Sequence, residues 1–88
     1  GFSQTLREDS LRNLITTSKE DTNKVNALAA LARVYRFSKT DTAELLARQG
    51  LALAEKIGFE KGQGNCLNQL GVCAYARSNY QLSLAHHN

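Results

Sequence analysis

The residues best able to do chemistry in this chain are two cysteines, two histidines and a glycine-rich tetrapeptide, and their spacing argues against a shared site. His86 and His87 are adjacent. On a helix, neighbours point about 100° apart, a poor geometry for one metal ion, and there is no third histidine to complete a site. Cys66 and Cys73 stand seven residues apart. On one helix this separates their Cα atoms by about 10.5 Å, beyond the roughly 7 Å that a disulfide tolerates. Neither thiol lies at a zinc-ligand spacing from the histidines. The run GQGN, Gly62 to Asn65, lacks both the Lys-Ser/Thr ending of a phosphate loop and a strand before it, and reads as a linker between helices. Buried structural thiols and surface or end-of-stack imidazoles are the expected roles. Without a nucleophile and base, paired carboxylates or a metal cluster, the chain is expected not to be an enzyme and to use no cofactor or metal.

The elements that carry these residues are helical. The 88 residues suit one domain near the lower limit for a self-sufficient core. Ala and Leu dominate, Pro and Trp are absent, and no β-branched run suggests a strand, so the fold class is all-α. The net charge of +3 comes from basic residues scattered between Arg7 and Arg77 without a cluster, so a solvated, mildly basic surface is expected rather than a nucleic-acid face. A small basic helical nucleic-acid-binding or regulatory protein is the competing reading, and a steep salt dependence of DNA binding would mark it. The longest apolar run, Ala27 to Ala32, is far short of the roughly 20 residues that cross a bilayer. No complete signal peptide is visible. The two unpaired thiols leave the compartment open.

Taken in order, the first helix is expected from Thr5, capped by Thr5 with Glu8, to about Ser18, carrying Leu6, Leu11, Leu14 and Ile15. KEDTNK breaks the chain, with Asp21 or Thr22 as the next cap. A second helix carries Val25, Leu28, Leu31, Ala32 and Tyr35 on one stripe. After a turn at Ser38-Lys39-Thr40, Asp41 and Glu44 are expected to cap a third helix bearing Ala43, Leu46, Gly50, Leu51 and Leu53, with Ala47 and Ala54 beside them. That helix stops at Ile57-Gly58. From Leu67 to His87 the sequence reads as a helical hairpin. Leu67, Leu70, Gly71 and Ala74 form the stripe of its first arm, and the costly mid-helix Gly71 is expected to admit a neighbouring backbone. Ser78-Asn79 is the turn, with Ser78 and Gln81 as a capping box, and Tyr80, Leu82, Ser83 and His87 begin the return arm.

This pattern resembles the tetratricopeptide repeat, a helix-turn-helix of about 34 residues. Leu28, Leu31, Ala32 and Tyr35 match its positions 4, 7, 8 and 11 in a first repeat, and Leu67, Leu70 and Gly71 match 4, 7 and 8 in a second. Ala43 and Ser83 stand at the small position 20. Ala74 where Tyr is usual, Ser83 in place of Ala and the missing closing Pro depart from the pattern. The 39-residue spacing of Ala32 and Gly71 and the opening KEDTNKVNALAALA look like the tandem repeats ahead of the membrane helix in bacterial sensor histidine kinases and related regulators.

The resemblance implies one domain, residues 1–88, forming a short right-handed superhelical stack of antiparallel helical hairpins with about five helices. Residues 5–18 would be a partial repeat or cap, 22–57 a first repeat and 60–88 a second. It implies a non-catalytic protein–protein interaction scaffold, the sensory or partner-binding fragment of a larger signalling protein. The compartment would be periplasmic for the sensor of a membrane kinase and cytoplasmic otherwise. Its concave groove would be lined by Asn26, Ala29, Arg33, Arg36 and Phe37 from the first repeat, and by Asn65, Asn68, Val72, Tyr75 and Ala76 from the second. There Arg33 and Arg36 offer forked donors to a carboxylate or phosphate, Asn65 and Asn68 suit a peptide backbone, and Phe37 and Tyr75 can anchor apolar side chains. Ala29 and Arg33 occupy the places where chaperone-binding members use Lys and Asn, so capture of a C-terminal carboxylate is not expected. A protein or peptide is thus the expected partner, with no nucleic acid and no membrane insertion. The open edge of Tyr80, Leu82 and Leu84 would favour further repeats or a homodimer.

Overall fold

The computed structural model describes the backbone of residues 2–17 and 19–87 and the side chains of residues 7–16 and 19–79. These residues form four helices, α1 (Phe2–Thr17), α2 (Thr22–Tyr35), α3 (Thr40–Ile57) and α4 (Glu60–His87), with no strand among them. The all-α class stands, with four helices in place of about five.

α2 is the central element. Asp21 caps it, its carboxylate accepting from the Lys24 N–H at 3.2 Å. Its expected stripe of Val25, Leu28, Leu31, Ala32 and Tyr35 is buried throughout. α1 lies along α2, and α3 and α4 pack against it and against each other. Two apolar clusters hold the layers together. Leu31, Ala32, Tyr35, Ala43, Ala47 and Cys73 form one, with Leu11 and Ile15 of α1 packed on it. Val25, Ala29, Leu53, Ala54 and Cys66 form the other. The small residues Ala43, Ala47, Gly50 and Ala54 follow α3 at spacings of four, three and four, so this helix presents a smooth buried face to its neighbours.

α1 begins before Thr5, so that residue lies inside the helix; its side chain and that of Leu6 fall outside the described residues. α3 begins at Thr40, with no side-chain cap at Lys39. Asp41 and Glu44 do not form the expected cap because the helix has already started, and both carboxylates turn to Arg77 instead. The Thr40 hydroxyl donates to the Arg36 carbonyl at 2.9 Å and closes the α2–α3 turn. α3 ends as expected. Gly58 adopts φ 70°, in the left-handed region, while its N–H and that of Phe59 bond back to Glu55 and Ala54.

Two corrections concern α4. Gly62 and Gly64 are not a linker but lie within its first turns. Gly62 is buried where a Cβ would come 2.6 Å from Val25 Cγ1, so the close helix approach falls here. Gly71 is exposed, and a Cβ there would meet nothing within 4 Å. The buried stripe of α4 is Gly62, Cys66 and Cys73, with Leu70 partly covered; Leu67, Gly71 and Ala74 face away. The second correction is the hairpin. α4 runs unbroken through Ser78 and Asn79 to His87. Reversing a chain in two residues calls for a left-handed conformation such as Gly58 supplies at the α3–α4 turn, and among the described residues no non-glycine has a positive φ. Ser and Asn within a helix cost only a few tenths of a kcal/mol, up to about 0.7, so nothing forces the helix to stop. Tyr80, Gln81, Leu82, Ser83, Leu84, His86 and His87 have side chains outside the described residues.

Candidate partner-binding surface

Four of the ten residues expected to line a groove fall in two clefts, Phe37 and Ala76 in one and Arg33 and Arg36 in the other. The first, about 790 Å³, lies between the α2–α3 turn and the distal half of α4, where Phe37 and Ala76 meet Thr40, Arg77 and Asn79. Phe37 is 65% exposed, and the Arg36 guanidinium sits 4.9 Å from its ring centroid. Arg77 is already engaged. Its hydrogen bonds to Glu44 and Asp41, the former contributing more, push its pKa further up and tie α4 to α3. The floor of this cleft is therefore electrically balanced.

The second cleft, about 360 Å³, lies between α1 and α2 and is lined by Arg7, Ala30, Arg33, Val34 and Arg36. Arg36 also donates to the Arg33 backbone carbonyl at 3.0 Å. No carboxylate lines this cleft, and among the described residues none of the three arginines forms a salt bridge. Three arginines, Arg7 of α1, Arg33 of α2 and Arg36 just past the end of α2, thus line one cleft with a small apolar floor. Arg33 and Arg36 were candidates through the groove positions that the repeat resemblance implies. Arg7 was not, because its place beside them depends on how α1 lies against α2.

Of the remaining groove candidates, Asn26 is exposed and lines a separate depression with Leu11 and Leu14. Asn65, Asn68 and Tyr75 are exposed along α4, and Val72 is half-buried. Ala29 is only 8% exposed and belongs to the second core cluster, where its methyl group serves packing.

A polar clamp holds α1 in the position that brings Arg7 to the cleft. The Tyr35 hydroxyl donates to Glu8 Oε2 at 2.8 Å and accepts from Arg12. That bond to Tyr35 is the main cause holding the Arg12 pKa above its ordinary value. Arg12 and Lys39 both sit over the Tyr35 ring. The two thiols are free and buried, and burial pushes both pKa values up, which suits packing rather than nucleophilic chemistry. Among the described residues no group of three or more His, Cys, Asp or Glu side chains is placed to hold a metal ion. Among them also, no helix is long and apolar enough to cross a membrane. No protein-family model, curated protein or solved structure matches this chain.

Proposed function

We propose that this chain is a non-catalytic interaction scaffold of the tetratricopeptide kind, the partner-binding part of a larger signalling protein, and that it takes an acidic peptide segment in the α1–α2 cleft. The observation that carries the reading is the convergence of Arg7, Arg33 and Arg36, free of acidic partners among the described residues, around one concavity. Arginine presents its donors in a planar fork that fits carboxylates in pairs. Ala30 and Val34 add an apolar floor for the stem of a Glu side chain or its neighbour. The α2–α3 hairpin supports the repeat assignment, since Ala32, at the family's small position 8, is fully buried.

The test is titration of a fluorescent, glutamate-rich peptide into the protein and into Arg33→Glu/Arg36→Glu and Arg7→Gln variants. A hydrogen bond to a charged group contributes about 1.5–3 kcal/mol, so losing one arginine is expected to weaken binding about tenfold or more. Helicity should be unchanged, because none of the three side chains takes part in the core. Equal binding by parent and double variant, or unfolding of the variant, would refute the assignment. Binding of duplex DNA in preference to the peptide, with a logarithmic salt slope near about −2 to −3 for three phosphate contacts, would favour the nucleic-acid reading instead.

A further inference from the structure

The face of α4 opposite its buried stripe is apolar and bare. Leu67 is 54% and Tyr75 68% exposed, and Gly71 and Ala74 between them are open to solvent. The same chain shows what such a face accepts. Leu28, Leu31, Ala32 and Tyr35 of α2 precede Leu67, Leu70, Gly71 and Ala74 of α4 by a constant 39 residues. In α2 these four positions are 0–2% exposed, covered by α3 together with Leu11 and Ile15 of α1 and Cys73 of α4. The segment that would cover α4 in the same way begins 39 residues after Thr40, at Asn79. It continues α4 outward instead of returning along it, so among the described residues no helix of the same molecule covers this face.

A second copy supplies one. When two α4 helices cross antiparallel about a two-fold axis, residues 79–87 of each lie along the Leu67–Ala76 stretch of the other. Nine residues of helix rise about 13.5 Å, the length of the stretch to be covered. Charge permits the approach. From Asn65 to Asn88 the only formally charged residue is Arg77, and it is bound to Asp41 and Glu44 of its own chain. A charged partner would find no unpaired complement here, whereas two copies meet without unpaired like charges facing each other. We propose that the chain forms a two-fold symmetric homodimer through the exposed face of α4, the distal half of each α4 taking in trans the place that α3 holds against α2. This is an isologous exchange of one element, a low-cost route to a dimer. It is independent of the arginine cleft.

Sedimentation equilibrium from micromolar to hundreds of micromolar protein tests it, with Leu67→Glu and Ala74→Lys as variants. The parent should pass from monomer to dimer. Each substitution should raise the dissociation constant at least tenfold while leaving the helicity of dilute protein unchanged, since both positions are exposed. Arg33→Glu/Arg36→Glu should dimerise like the parent even if it loses the peptide. A monomer mass at every concentration overturns the proposal, as does a dimer that both α4 variants leave equally tight. Should Leu67→Glu fail to fold, Ala74→Lys decides on its own. Amide exchange adds a second readout, because residues 67–76 should become better protected as concentration rises, and protection that does not change overturns the proposal too.

Discussion

Alanine at Gly62 and alanine at Gly71 should move stability in opposite directions, although both glycines lie in the same helix. Each replacement removes a glycine penalty, about 1 kcal/mol at Gly71 in the helix interior and at most that at Gly62 in the first turn, so the difference between the two variants chiefly reports what the new methyl group meets. At Gly62 it would come 2.6 Å from Val25 Cγ1, and 2.5 and 2.8 Å from two ring carbons of Phe59. Carbon atoms prefer about 3.5–4.0 Å, so one or both partners must shift. Val25 is fully buried, and its β-branched side chain is stiff. Overpacking of this kind costs about 1–3 kcal/mol. At Gly71 the methyl group meets nothing within 4 Å and the helix gain remains whole. Urea denaturation of dilute, monomeric protein should therefore show Gly71→Ala more stable than the parent and Gly62→Ala lower than Gly71→Ala by about 1–3 kcal/mol. The melting temperatures should separate by about 4–8 °C for each kcal/mol in a domain of this size. If Gly71→Ala loses as much stability as Gly62→Ala, a helix does pack over Gly71 in the monomer. The chain then closes at Ser78-Asn79 after all, and the bare face of α4 does not exist.

Two further predictions concern the interior. Burial holds the Cys66 and Cys73 thiols above their ordinary range, with Arg77 partly opposing the shift at Cys73. A proton is thus held more tightly in the folded state. Its contribution is fully present below the unfolded thiol pKa, about 8.5, and is lost as pH rises through the folded value. The denaturation midpoint should be flat near neutrality and fall in mildly alkaline solution, and neither thiol should react with a disulfide reagent at neutral pH without unfolding. A Cys66→Ala/Cys73→Ala variant that keeps the same alkaline slope would show another group responsible. Tyr35→Phe removes the hydroxyl that joins Glu8 and Arg12 to α2. Hydrogen exchange should quicken in α1 and hold steady in α2 to α4; a change spread evenly over all four helices would place the clamp elsewhere.

What could be read from residue types was decided by how unambiguous each helix face is. The stripe of larger residues on α2 is buried throughout, with Ala27 and Ala29 buried beside it. Gly58 marks the end of α3 because only a residue without a side chain takes φ 70° there cheaply. α4 offers two stripes. Leu67, Leu70, Gly71 and Ala74 contain the larger residues, whereas Gly62, Cys66 and Cys73 contain the ones that are buried. Size alone favours the first, and the neighbours select the second. The surface made by Ala43, Ala47, Gly50 and Ala54 lies so close that a Cβ at Gly50 would stand 2.7 Å from Cys66 Sγ, and a leucine in place of that thiol would not fit. The turn expected at Ser78-Asn79 failed for a related reason. A capping box marks where a helix is able to begin and says nothing about whether the previous one has ended. Arg7 entered the candidate site through tertiary packing alone, which no spacing within α1 reveals.

The missed turn and the bare face are one fact seen twice. A stripe with the spacing of α2 has been carried into α4, while the residue that would reverse the chain after it has not. In α2 the reversal occurs within Arg36–Lys39, and Thr40 then bonds back to Arg36. In α4 the equivalent position of Arg36 is Tyr75 and that of Thr40 is Asn79, and the helix continues through both. A helix face left uncovered by the described residues keeps an apolar surface in water, at a cost of about 25 cal/mol per Å² relative to burial. That cost is the driving force available to any helix of matching length and neutral charge, and among the described residues a second α4 is such a helix.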